Sequence, residues 1–203
     1  MTPEEFQTRT GATAAQMADL ARYRDLLAEG NAVMNLVGPA TLPDFWSRHA
    51  LDSWQLLGHA PDARTWADLG AGAGLPGIVL SIFIKTTDCH IWLIDSLTKR
   101  CRFLQQVVDE LGLPATVVTG RAEDQQLTVD VVTARACAPM ERLLGYAQPY
   151  LDRGAQGLFL QGEKAGDELK AAARCWKLSA DTVPSISDPR GRVVRVRSLA
   201  RAR

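Results

Sequence analysis

The stretch Ala67–Gly77, "ADLGAGAGLPG", sets four glycines between the short run "RTW" and the apolar run "IVLSIFI". Glycine this dense between a strand-like and a helix-like run brings backbone close to a ligand in α/β proteins. Two readings compete for it. From Gly72, "GAGLPG" satisfies G-x-G-x-x-G, the dinucleotide fingerprint; from Asp68, "DLGAGAG" satisfies D-x-G-x-G-x-G, the loop that cradles S-adenosylmethionine (SAM).

The flanking sequence supplies the frame. From Arg64 onward, "RTWADLG", "CHIWLID", "ATVVTG", "VDVVTAR" and "GAQGLFL" are short apolar runs rich in β-branched residues. Between them lie helix-like stretches, "LTKRCRFLQQVVDELG" and "MERLLGYAQPYL", with "GDELKAAARCWKL" following the fifth run. Strands alternating with helices imply right-handed crossovers and a parallel, doubly wound sheet. "DTVPSISD" and "GRVVRVRSL" add two strands around a turn at Pro189–Gly191. The expected fold is therefore α/β, Rossmann-like, with a seven-stranded, mostly parallel sheet closed by an antiparallel hairpin, as in class I SAM-dependent methyltransferases.

The first 60 or so residues lack strand alternation. Thr2 with Glu5 and Thr13 with Gln16 form capping boxes. The second opens a helix with Met17, Leu20, Tyr23 and Leu27 on one face and Gly30 as its expected stop. "PDFWSRHALDSWQLLGH" is apolar at helical spacing and carries Arg48, His49 and Asp52 on one helix, with Arg48 and Asp52 four apart on one face, placed either for a local ion pair that locks the cap to the core or for framing the site. Residues 1–60 are expected to form a helical cap within the same compact unit as a catalytic domain at 61–203.

Composition narrows the class. A chain of 203 residues, 46% hydrophobic and 23% charged, is an ordinary globular length and balance. No run approaches the ~18 apolar residues that span a bilayer, and the polar N-terminus does not resemble a secretion signal, so a cytoplasmic location is expected. Cys89, Cys101, Cys137 and Cys175 are scattered, without C-x-x-C spacing or a histidine cluster; reduced cysteines and no metal are expected. Net charge is zero but uneven, with 6 basic and 10 acidic residues in 1–89 against 17 and 13 in 90–203, which leaves room for a local basic face.

Strand-end chemistry separates the two cofactors. A dinucleotide turn needs its first glycine where the chain leaves the strand. Gly70 occupies that place better than Gly72, and Asp68 then ends the strand, where its carboxylate can meet the cationic amino group of a methionine moiety through water. Asp95, ending "IWLID", suits ribose hydroxyls in either cofactor. "RAED" after the third run places Glu123 or Asp124 near an adenine. An acid after each of three successive strands is the layout of a SAM site, with Gly70, Gly72, Gly74 and Leu75 forming its loop.

The residues also resemble a family. "MNLVG", "RHALDS", "DLGAGAGLPGIVL", "LIDSLTKRCRFLQQVVDELGL", "GRAED" and "VVTARACAP", spanning roughly Ala32 to Pro139, resemble the bacterial 16S rRNA guanine-N7 methyltransferases of the glucose-inhibited division protein B (GidB) family. The resemblance implies methyl transfer from SAM to N7 of guanine 527 in 16S rRNA of the small ribosomal subunit. It further implies SAM contacts at Gly70 and Leu75, adenine contacts at Ala122 and Glu123, and an orienting role for Arg135 beside cofactor and base. N7 carries no proton, so alignment replaces a general base; a donor facing the adjacent O6 would suit Arg135.

Arg48, Lys99, Arg100 and Arg102 are candidate RNA contacts. Arg190, Arg192, Arg195, Arg197, Arg201 and Arg203 make the C-terminal stretch basic, and both phosphate binding and protection of a sheet edge would use them. Gln161-Gly162 stands where the family often has lysine-glycine. Cys137 admits a competing cytosine-C5 chemistry, but the context lacks the proline-cysteine or threonine-cysteine dipeptide of those enzymes. A methyltransferase for another RNA site, a protein or a small molecule would share the same loop. A monomer is expected.

Overall fold

The computed structural model describes residues 1–202. Seven strands form one sheet: β1 (Thr65–Leu69), β2 (His90–Asp95), β3 (Ala115–Thr119), β4 (Val131–Arg135), β5 (Gln156–Gln161), β6 (Trp176–Pro184) and β7 (Arg192–Arg201), in the order β3-β2-β1-β4-β5-β7-β6. The first five pair in parallel; β7 runs antiparallel to both β5 and β6. The order reverses at β1, whose neighbours β2 and β4 lie on opposite sides, so a crevice opens beyond the ends of β1 and β4.

Two helices open the chain, α1 (Pro3–Thr10) and α2 (Ala14–Met34), each started by the expected capping box. Gly30 does not stop α2. The helix continues to Met34 and closes at Asn35 in the left-handed region, φ 47°. Gly30 instead provides clearance, since a Cβ there would press on Leu36 and Phe103. The tryptophan-rich segment is helical but irregular: Phe45–Leu51 is π-helical, α3 (Asp52–Trp54) is a single turn, and Gln55–His59 is 3-10.

The remaining helices are α4 (Gly77–Ile84), α5 (Thr98–Leu111), α6 (Met140–Leu151) and α7 (Ala165–Ala172). α5 is amphipathic, burying Cys101, Phe103, Leu104, Val107, Val108 and Leu111 against the sheet. α4 is apolar on all sides because it is covered on all sides. Phe83 at its end meets Phe6 and Trp54, at ring-centroid distances of 6.3 Å in both cases, and the opposite face lies on the sheet. α7 is shorter than its sequence suggests: the chain turns after Ala172, and Trp176 to Leu178 join β6 because Trp176 packs into the core.

The N-terminal helices and the sheet share one hydrophobic cluster, in which Phe6, Leu20, Tyr23 and Trp46 pack with Ile78, Leu93 and Leu104. Within it the buried Tyr23 hydroxyl donates to the carbonyl of Ala73 at 2.8 Å, pinning the glycine-rich loop from above. Tyr23→Phe leaves that buried acceptor without a donor. It should cost ~1–2 kcal/mol in urea unfolding, and an unchanged midpoint would mean water replaces the hydroxyl.

Candidate active site

A cleft of about 700 Å³ opens at the carboxyl ends of the parallel strands, where the sheet order reverses. One wall is the loop after β1, from Gly70 to Ala73 with Leu75; the other comprises Arg135 and Ala136 after β4 and Gln161 to Glu163 after β5. Leu36 to Thr41, Arg48 to Asp52 and the turn Ser187–Gly191 complete the rim.

The loop conformation follows from its glycines. Gly70, Gly72 and Gly74 all have positive φ, at 66°, 56° and 93°. Gly70 is doubly constrained, because a Cβ there would collide with Cys137 Sγ. Two carboxylates hold the loop from beneath. Asp95 accepts from Gly72 N at 2.9 Å and from Leu97 N at 2.8 Å. Asp68 accepts from Gly77 N at 2.8 Å, at the start of α4. Gly77 is required for that approach, since a Cβ would strike both Asp68 and Leu93.

Asp68 is fully buried, and its Oδ1 has no hydrogen-bond partner among the described residues. Burial pushes its carboxyl up to about 7, against the opposing pull of the Gly77 amide and Arg135. It is a buried rather than a solvated strand-end acid. It sits behind the loop with one acceptor unspent.

Arg135 forms the centre of the opposite wall. Its Nη1 donates to the carbonyl of Arg48 at 2.9 Å and lies 3.7 Å from Asp52 Oδ2. Its Nη2 donates to His49 Nδ1 at 2.9 Å. Guanidinium only donates, so Nδ1 carries no proton and the ring is the Nε2–H tautomer. Nε2 then donates to Thr41 Oγ1 at 2.9 Å, and that hydroxyl donates to the Gly38 carbonyl at 2.7 Å. Burial, with the adjacent charges of Arg135 and Arg48, drives His49 down to about 3 and keeps it neutral. Ala136, immediately after Arg135, is left-handed at φ 49°, a conformation that costs a residue with a Cβ about 1 kcal/mol or more.

Asp52 does not pair with Arg48. Its carboxylate turns instead toward Arg135 and toward the turn after β6. Its Oδ1 accepts from Ser185 Oγ, Ser187 Oγ and Gln55 Nε2, at 3.1, 2.6 and 3.0 Å. Gln55 Oε1 accepts from Ile186 N at 3.0 Å. These bonds fasten one rim of the cleft to the N-terminal segment.

The residues singled out in sequence divide into four groups. Gly70, Gly72, Leu75, Arg48, Arg100 and Arg135 line the cleft. Asp68, Gly74 and Asp95 support it from behind. Ala122 and Glu123 lie on a 3-10 turn beyond β3, outside the cleft lining, where Tyr150 OH holds the Ala122 carbonyl at 2.7 Å. Lys99 and Arg102 face a second depression. Thr41, Ser187 and Gln161, whose buried Nε2 is unpartnered among the described residues, were not singled out as site residues; they come from segments distant in sequence, and only the fold brings them together.

The C-terminal arginines are largely committed to the protein itself. Arg195 and Arg197 both bind Asp181, at 2.6 and 2.8 Å, Arg190 pairs with Asp188 at 3.3 Å, and Arg201 stacks over Trp176 at 4.6 Å. β7 is not an edge strand, because β6 returns outside it. Arg203 lies outside the described residues. All four cysteines are free, and Cys175 is exposed. Burial, with Asp68, Asp95 and Glu123 nearby, raises the Cys137 thiol to about 11, which disfavours a thiolate nucleophile.

This topology, with its glycine loop at the switch point, is the fold of SAM-dependent methyltransferases. A crystal structure of such an enzyme from Aquifex aeolicus superposes with a TM-score of 0.55 at 16% identity, covering 83% of this chain and 98% of that one. A profile of the rRNA small subunit methyltransferase G (GidB) family matches residues 16–193, and the chain belongs to this family. Ribosomal RNA small subunit methyltransferase G of Caulobacter sp. K31 is 60% identical over 199 residues, which are 98% of this chain and 90% of that protein. Its counterpart in Caulobacter vibrioides NA1000 is 55% identical over 98% of this chain and 92% of its own.

Asp68 gives the site a pH signature. A carboxyl whose folded value lies above its unfolded value near 3.9 holds its proton more tightly when folded. Its stabilising share is complete below about pH 4 and is lost as pH rises through about 7. Asp68→Asn keeps an acceptor for Gly77 N and never ionises. It should gain stability relative to the parent between pH 5 and pH 8 in urea unfolding; a constant difference would place a solvated carboxylate at Asp68.

Proposed function

We propose that this protein transfers a methyl group from S-adenosylmethionine to N7 of guanine 527 in 16S rRNA of the small ribosomal subunit. The observation that carries this reading is the pairing, across one cleft, of a glycine loop backed by two acids with a wall centred on Arg135, whose guanidinium is held by Arg48 and His49. The cofactor fits the residues present. Asp68 Oδ1, buried and unpartnered among the described residues, matches a cationic amino group. Asp95, with one backbone amide on each oxygen, keeps lone pairs for ribose hydroxyls. Gly70, Gly72, Gly74 and Leu75 would follow the cofactor along the loop, and Ala122 and Glu123 would flank the adenine. SAM, when bound, supplies an electrophilic methyl group on its sulfonium.

The chain's own part is alignment. Guanine N7 attacks through an in-plane lone pair and has no proton to lose, so the transfer needs no general base. Arg135 has two hydrogen bonds to the helical segment, to Arg48 O and His49 Nδ1, and its remaining N–H groups are available to a base oxygen or to the cofactor. Neutral His49 is an acceptor for Arg135 and is not poised to remove a proton. Arg48 stands on the rim, placed to meet phosphates, beside Arg100, which lies 3.7 Å from Asp95, and Arg190, which is paired with Asp188. Residues 1–60 serve here as a cap that shapes the RNA side of a catalytic domain, and the substrate assigns the action to the cytoplasm.

The test is incubation with methyl-labelled SAM and small subunits lacking this modification, followed by nucleoside analysis. Label is expected in 7-methylguanosine at one site; label in another nucleoside or in protein would refute the assignment. Cys137→Ser should retain most of this activity, whereas a covalent RNA adduct through Cys137 would establish cytosine-C5 chemistry instead.

A further inference from the structure

Lys99 and Arg102 do not face the cleft. They stand beside a separate depression of about 390 Å³ between α2 and α5, within the size range of small-ligand pockets. Leu26, Val33, Met34 and Phe103 give it an apolar lining. Val33 is 80% exposed, a large apolar side chain left open in the last turn of α2. Neither Lys99 nor Arg102 has an acidic partner among the described residues, and the one acid in the lining, Glu29, is engaged by Arg22 at 3.4 Å.

The depression adjoins the cleft through one short segment. Val33 and Met34 line the depression, while Leu36 and Val37 line the cleft. On α5, Arg100 faces the cleft while Lys99 and Arg102 face the depression. An apolar floor edged by two uncompensated cations matches a nucleotide, whose base has a flat apolar face and whose phosphate is an anion. A peptide partner would have to be acidic and apolar at once, and nothing in the depression points to a peptide backbone.

We propose that this depression is a second nucleotide site, taking a residue of the substrate RNA next to the target guanine, with its base over Val33 and Met34 and its phosphate between Lys99 and Arg102. The proposal rests on the RNA-methyltransferase reading above, and wild-type methyl transfer to unmodified small subunits tests that reading separately. The Lys99→Ala/Arg102→Ala double variant should raise KM for the subunits about tenfold and flatten the log–log salt dependence of RNA binding by about 1. SAM affinity should equal the wild type's. Val33→Ser should raise the same KM several-fold and leave the salt slope unaltered. Because Val33 is exposed, this variant does not depend on repacking the core.

Replacing Val33 with the photo-crosslinking residue benzoylphenylalanine identifies the occupant. Crosslinks to 16S rRNA within a few nucleotides of the labelled guanine are expected. Crosslinks to a ribosomal protein, crosslinks to remote rRNA, or an unchanged KM and slope in the double variant would each overturn the proposal while leaving the methylation result standing.

Discussion

A half-buried guanidinium sets the geometry of the cleft. Arg135 stands at the end of β4 and can only donate, and each partner it meets is thereby constrained: a backbone carbonyl at Arg48, the bare nitrogen of His49, and the carboxylate of Asp52. The histidine's tautomer then follows, as does the direction of the Thr41 hydroxyl. The N-terminal segment is registered against the sheet by a chain of bonds that runs one way, and the cleft has its shape because that segment cannot slide. The left-handed Ala136 is the local strain accepted to aim the guanidinium there.

Beneath the other wall, two acids hold the glycine loop in different ways. Asp95 spends both oxygens on backbone amides at the ends of neighbouring turns. Asp68 spends one and buries the other, which makes it costly as a carboxylate and pre-formed as an acceptor. Binding sites keep such imbalances because the missing partner arrives with the ligand. Tyr23 closes the arrangement from the helical side, so the loop is held by the cap as well as by the sheet.

Much of this was legible before the fold was known. The parallel core was carried by β-branched runs at regular spacing, and "DLGAGAG" marked the end of β1, because backbone conformation and strand burial are local demands on residue type. "IVLSIFI" marked the helix-like element that follows the loop, α4. Other features were not local. Gly30 reads as a helix stop until Leu36 and Phe103 are seen pressing against it. Asp52 could be read as a local partner of Arg48 because the groups it meets, Arg135, Ser185 and Ser187, lie far away in the chain. The arginines of β7 looked like an edge strand's defence because pairing order is not encoded in any single strand; Asp181 on β6 neutralises two of them.

The position of β7 has a consequence in time. It lies between β5 and β6 and is the only partner β6 has in the sheet, yet it follows both in the chain. During synthesis, β5 is left with an open flank and β6 with no strand to join until residues 192–201 have left the ribosome. The turn that walls one side of the cleft, tied down through Ser185 and Ser187, is supported by those same two strands. The cleft is thus completed after its floor, and a nascent chain that already holds a complete glycine loop still lacks one wall of that cleft.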